Sequence, residues 1–82
     1  MFNLYDVVKL KKDRHDIGIN EKDKGAIIDI IENGKAYTVE FFDENDETIE
    51  ESIYQYFVES DLVLVEPYNN IKLVNLELAS GK

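Results

Sequence analysis

The chain has 82 residues, 44% of them apolar, with no cysteine and a formal net charge of −9. That length supports one core and not two, the apolar fraction excludes wholesale disorder, and the missing cysteines exclude disulfide staples and thiolate metal sites. The charge is segregated: residues 36–71 hold ten carboxylates and no Lys, Arg or His, whereas residues 1–35 hold seven acids balanced by seven Lys and Arg. Such a run repels itself and a phosphate backbone, and it attracts cations and basic surfaces. It also serves solubility, so a recognition surface and a purely solvated face both stand at this point.

Met1 leads into Phe2-Asn3-Leu4-Tyr5-Asp6 without a basic segment or a long apolar run. No signal peptide or membrane span is expected, and the cytoplasm is the expected location. Residues 5–10 read as a short strand, with Tyr5, Val7 and Leu10 as candidates for its buried side. Residues 11–24 are polar and read as one long loop, of the kind that often binds. Gly25 opens the β-branched run Ala26-Ile27-Ile28-Asp29-Ile30-Ile31, and Asn33-Gly34 predicts a type I′ hairpin turn. The return strand covers 36–42, with Tyr37, Val39 and Phe41 on one face.

Residues 43–47 form the next turn. Residues 48–58 read as a further strand, with a break near Ser52 turning Ile49 and Tyr54 inward; a helix over 50–58 is the competing reading. One 3₁₀ turn is expected at 59–61, then a closing strand over 62–65 stopped by Pro67. Short strands with turns every eight to twelve residues predict an all-β chain: a small barrel of five or six antiparallel strands over 1–66. Residues 67–82 extend it, as an extra strand over 71–78 or as a tail ordered by a partner. The last four residues are expected to fray.

The order Asp6-Val7-Val8, Leu10, Lys24-Gly25-Ala26-Ile27, Asn33-Gly34-Lys35-Ala36-Tyr37, Val39-Glu40-Phe41, Asp43, Asp46, Thr48 and Asp61-Leu62 resembles a bacterial family of small uncharacterised domains. Their fold is similar to the SH3-like barrel of nitrile hydratase β-subunits. The resemblance covers residues 5–66 and is most specific over 37–43. It differs at Asn45-Asp46-Glu47, where members more often carry Asp-Gly, which implies a wider turn. Members resemble partners encoded beside candidate toxins, so the resemblance implies an antitoxin or immunity role. It brings no catalytic residue and no cofactor.

The residues offer little chemistry of other kinds. Acid–base catalysis needs one carboxyl with a raised pKa in a dry cleft beside one that stays ionised, and these acids fall on turns and strand surfaces. A calcium loop starting at Asp43 fails at its sixth position, Thr48, and its twelfth, Tyr54. His15 alone builds no zinc site. The cluster Lys9, Lys11, Lys12, Arg14 is interrupted by Asp13 and lacks interleaved aromatics, so direct nucleic-acid binding is not expected. The expected function is an acidic protein-binding module, not an enzyme, needing no metal or cofactor. It would be an inhibitor of antitoxin or immunity type that covers a basic surface of a partner such as a toxin or nuclease. Alternatives are a nucleic-acid mimic and a regulatory barrel of an enzyme complex. The expected site comprises Glu40, Asp43, Glu44, Asp46, Glu47, Glu50 and Glu51, with Tyr54, Tyr56 and Phe57 as apolar anchors where exposed.

Overall fold

Branched and aromatic side chains set where this chain extends, and glycine and short polar residues set where it turns. The computed structural model describes residues 1–68. Four strands, β1 (Val7–Leu10), β2 (Lys24–Ile31), β3 (Ala36–Phe42) and β4 (Leu62–Glu66), form one open antiparallel sheet in the order β3-β2-β1-β4. Short 3₁₀ turns at His15–Ile17, Glu32–Gly34, Glu50–Tyr54 and Glu59–Asp61 connect them. The all-β antiparallel class is as the sequence predicts, and the strands among the described residues number four. The expected strand at 71–78, and all of the extension beyond Tyr68, lie outside the described residues.

β3 follows the two-residue period without a break. Tyr37, Val39 and Phe41 are fully buried, while the residues between them are half-buried on the opposite face. β2 pairs along its whole length, from Lys24 opposite Phe42 to Ile31 opposite Ala36, with a bulge between Ile27 and Asp29. Gly25 lies opposite Phe41, and a Cβ there would stand 2.6 Å from Val39 Cγ1 and 2.8 Å from Phe41 Cδ1. The space a side chain would take is filled from β3. The core is completed by Val8, Leu10, Ile17, Ile19, Ile27, Phe57 and Leu62, with Phe41 and Phe57 packed edge to face at 5.4 Å.

Several local expectations change. β1 buries Val8 and Leu10, whereas Tyr5 is exposed and Val7 half-buried. Tyr5 sits at φ 68° in a turn ahead of the strand, so the alternation starts at Val7. The loop 11–24 is not wholly polar in space: Arg14 and Ile19 pair as an isolated bridge, and Ile17 and Ile19 enter the core. The hairpin between β2 and β3 forms, but over the four residues Glu32-Asn33-Gly34-Lys35 instead of a two-residue turn. Glu32, Asn33 and Gly34 all take positive φ, and Lys35 N–H closes the loop on Ile31 O at 3.0 Å.

Residues 48–58 form neither a strand nor the competing helix. Thr48 bridges Phe42 and Phe57 bridges Tyr37, with the 3₁₀ turn Glu50–Tyr54 between them. The cause is Ser52. Its buried hydroxyl donates to Ile49 O at 2.6 Å and accepts from Phe41 N–H at 3.0 Å, so a side chain replaces a ladder bond along the β3 edge. Tyr54, expected to turn inward, is 73% exposed. The turn at Glu59–Asp61 and the closing strand stand where expected, the strand running one residue further to Glu66.

Candidate functional site

The acidic turn begins where β3 ends. Asp43 Oδ1 accepts from Asn45 N–H at 2.8 Å and Glu47 N–H at 3.1 Å, and the backbone closes through Asp43 N–H to Glu47 O at 2.9 Å. Asp46 takes φ 61°, the left-handed conformation that glycine usually fills. A short Asp side chain tolerates it, so the departure at Asn45-Asp46-Glu47 leads to a five-residue turn. Asp43 therefore shapes this surface more than it offers charge. Glu40 is likewise engaged, accepting from Thr48 Oγ1 at 2.7 Å.

Glu44, Asp46, Glu47, Glu50 and Glu51 are exposed, and their carboxylates accept no hydrogen bond and make no ion pair among the described residues. The turn carries the first three, and the 3₁₀ turn Glu50–Tyr54, next along the chain, carries the other two. Tyr54 and Tyr56 are each more than 70% exposed, and Ile53 and Val58 are partly so. Phe57 is withdrawn as an anchor. Its bridge to Tyr37, with N–H and C=O both bonded, turns its ring inward to full burial and its neighbour Tyr56 outward.

Opposite the acidic turn stands a wall that the linear sequence did not reveal. Lys22, Asp23, Lys24 and Asn20 line one side of an open groove of about 780 Å³, with Phe42, Asp43, Glu44 and Asp46 on the other. Pairing of Lys24 with Phe42 brings the polar loop beside the turn. The carboxylates are thus flanked by lysines without forming ion pairs to them among the described residues. The two-bonded ion pair of the loop lies elsewhere. Arg14 donates to both Asp16 oxygens at 2.9 Å, which holds the Asp16 carboxyl below the usual range and raises the guanidinium.

Asp6 is a second residue that composition hid. It is buried, and its carboxylate accepts from Asn3 N–H at 2.8 Å and Tyr68 N–H at 3.0 Å, joining the start of the chain to the residues after β4. Among the described residues no group of three or more His, Cys, Asp or Glu is placed to hold a metal ion, and no helix is long and apolar enough to cross a membrane.

Residues 4–52 match a family described as a domain of unknown function, DUF4926. The chain belongs to that family. No curated protein and no solved structure matches it. The DUF4926 segment takes in β1, β2, β3 and the acidic turn, and it ends at Ser52, the residue whose hydroxyl completes the β3 edge. Tyr54, Tyr56 and β4 lie beyond it.

Proposed function

We propose that this DUF4926 protein is a binding module, not a catalyst, whose acidic turn covers a basic surface of a partner protein. An inhibitor of antitoxin or immunity type, built on an SH3-like framework, is the role that fits this reading. Its partner would be a protein that itself binds nucleic acid, such as a nuclease toxin. The observation that carries the reading is a succession of exposed side chains along one stretch of the chain. Glu44, Asp46, Glu47, Glu50 and Glu51 stand unpaired among the described residues, followed at once by Tyr54 and Tyr56 with most of their rings in solvent. Charge of one sign steers encounter, and exposed tyrosines give area for lasting contact at low entropic cost. The carboxylates stand in open solvent instead of a dry cleft, which favours recognition over acid–base work. A cytoplasmic setting agrees with a cysteine-free chain.

The test begins with a partner purified after capture from the native host. Its association with the wild type is then compared with that of the variant Glu44→Lys, Glu47→Lys, Glu50→Lys, Glu51→Lys. Asp43 and Asp46 are spared because they shape the turn. The variant is expected to associate at least about tenfold more slowly at low salt and to lose most of its salt dependence, with dissociation changed less. Tyr54→Ala with Tyr56→Ala is expected to speed dissociation instead. Equal association rates for wild type and the charge variant in both buffers would reduce the acidic surface to a solubilising one.

A further inference from the structure

The outer edge of β3 is met by residues 48–58 at three points, with one position between them left over. Tyr37 exchanges both backbone bonds with Phe57, at 2.7 and 2.9 Å. Phe41 C=O accepts from Ile49 N–H at 2.8 Å, and Phe41 N–H donates to Ser52 Oγ at 3.0 Å. Backbone groups alternate between the two sides of a strand, so the N–H and C=O of Val39, midway between Tyr37 and Phe41, point to this same edge. The neighbouring strand agrees. Ile27, opposite Val39, turns its own groups away from β3, donating to Asp6 O at 3.0 Å and accepting from Tyr5 N–H at 2.7 Å. Val39 is fully buried, yet neither of its backbone groups has a hydrogen-bond partner among the described residues.

The register explains how this arises. Continuing the Tyr37–Phe57 pair by two residues sets Gln55 opposite Val39, and in a regular ladder the two would exchange both bonds. Gln55 N–H instead closes the 3₁₀ turn on Ser52 O at 3.3 Å, so Val39 C=O is without that donor. A buried donor and acceptor side by side are rarely left unmade, because neither recovers what it gives up on leaving water. We infer that a buried water molecule binds at this point of the β3 edge, accepting from Val39 N–H and donating to Val39 C=O. Its second proton is free for Gln55 C=O, which also accepts no bond among the described residues. Water suits the place because the ligand must both accept and donate. A cation would face the N–H and an anion the C=O, each against its own sign. Gln55 stands between the exposed Tyr54 and Tyr56, so the bridge holds the backbone from which both rings project, whether or not they meet a partner.

Two measurements on the full chain test this. A high-resolution crystal structure is expected to show a density peak about 2.7–3.2 Å from both Val39 N and Val39 O, closed off from bulk solvent. In solution, NMR couplings transmitted across hydrogen bonds are expected to link Ile27 N to the Asp6 carbonyl, which serves as the control, and to link Val39 N to no carbonyl. A coupling from Val39 N to the Gln55 carbonyl, or to a carbonyl beyond Tyr68, would show a protein acceptor and overturn the proposal. So would a crystal structure with no peak within hydrogen-bond distance of both Val39 atoms.

Discussion

Ser52 shows how much one small side chain decides. A β-strand continuing past Thr48 would satisfy the outer edge of β3 with backbone groups alone; here a hydroxyl takes part of that role. Phe41 N–H is buried among apolar residues and has Ser52 Oγ as its acceptor at 3.0 Å. Ser52→Ala removes that acceptor without opening the space to water, so the cost is that of a stranded buried donor. Urea unfolding is expected to show a loss of about 1–3 kcal/mol with the slope unchanged. A midpoint equal to that of the wild type would mean that Phe41 N–H finds another acceptor. No periodic pattern announces this, because a serine amid aromatic and acidic residues reads as a surface position. The inward phase of β1 was hidden for a related reason: propensity does not register the left-handed φ of Tyr5.

At the scale of elements, the β2–β3 hairpin was the most legible part of the chain. The run ending at Ile31, the return at Ala36 and the face shared by Tyr37, Val39 and Phe41 follow from a two-residue period and a turn signal. The turn's width was not legible, since it is set by Lys35 N–H bonding Ile31 O and by three successive residues at positive φ. Gly34 is the extreme of the three at φ 101°, and a Cβ there would also meet Met1 Sδ at 3.0 Å and Tyr37 Oη at 3.2 Å. Gly34→Val is expected to cost about 1–3 kcal/mol, most of it backbone strain. Gly34→Asn should cost less, because Asn tolerates left-handed φ better than a β-branched residue. Equal midpoints for the two variants in thermal melts would assign the cost to crowding against Met1 and Tyr37. The loop 11–24 illustrates the opposite limit. Ile17 and Ile19 are two apolar residues in a polar run, carried into the core by the 3₁₀ turn His15–Ile17 and the Arg14–Ile19 bridge.

For the whole molecule the governing quantity is charge. The acidic stretch and its candidate residues were plain from composition, but their surroundings were not: Lys22 and Lys24 precede the turn by some twenty residues and reach it only through strand pairing. Among the described residues, the carboxylates of Glu40, Asp43, Glu59 and Asp61 accept hydrogen bonds, whereas those from Glu44 to Glu51 accept none. Repulsion among the latter should outweigh long-range attraction to the two lysines. Adding salt to a few tenths molar is therefore expected to raise Tm. A Tm that falls over the same range would show that attraction across the groove dominates. Glu44→Gln combined with Glu47→Gln should weaken the salt response.

The strand order carries a consequence for how the chain reaches this structure. β1 is made before the other described strands yet lies inside the sheet, between β2 and β4. The β2–β3 hairpin closes on near neighbours and is suited to form first, while the β1–β4 ladder must draw together distant parts of the chain. That join, sealed by Asp6 on Tyr68, makes completion of the sheet a late event whose rate is governed by loop closure. Until residues 62–66 leave the ribosome, one edge of β1 is without its partner, so the sheet can be completed only after β4 has emerged.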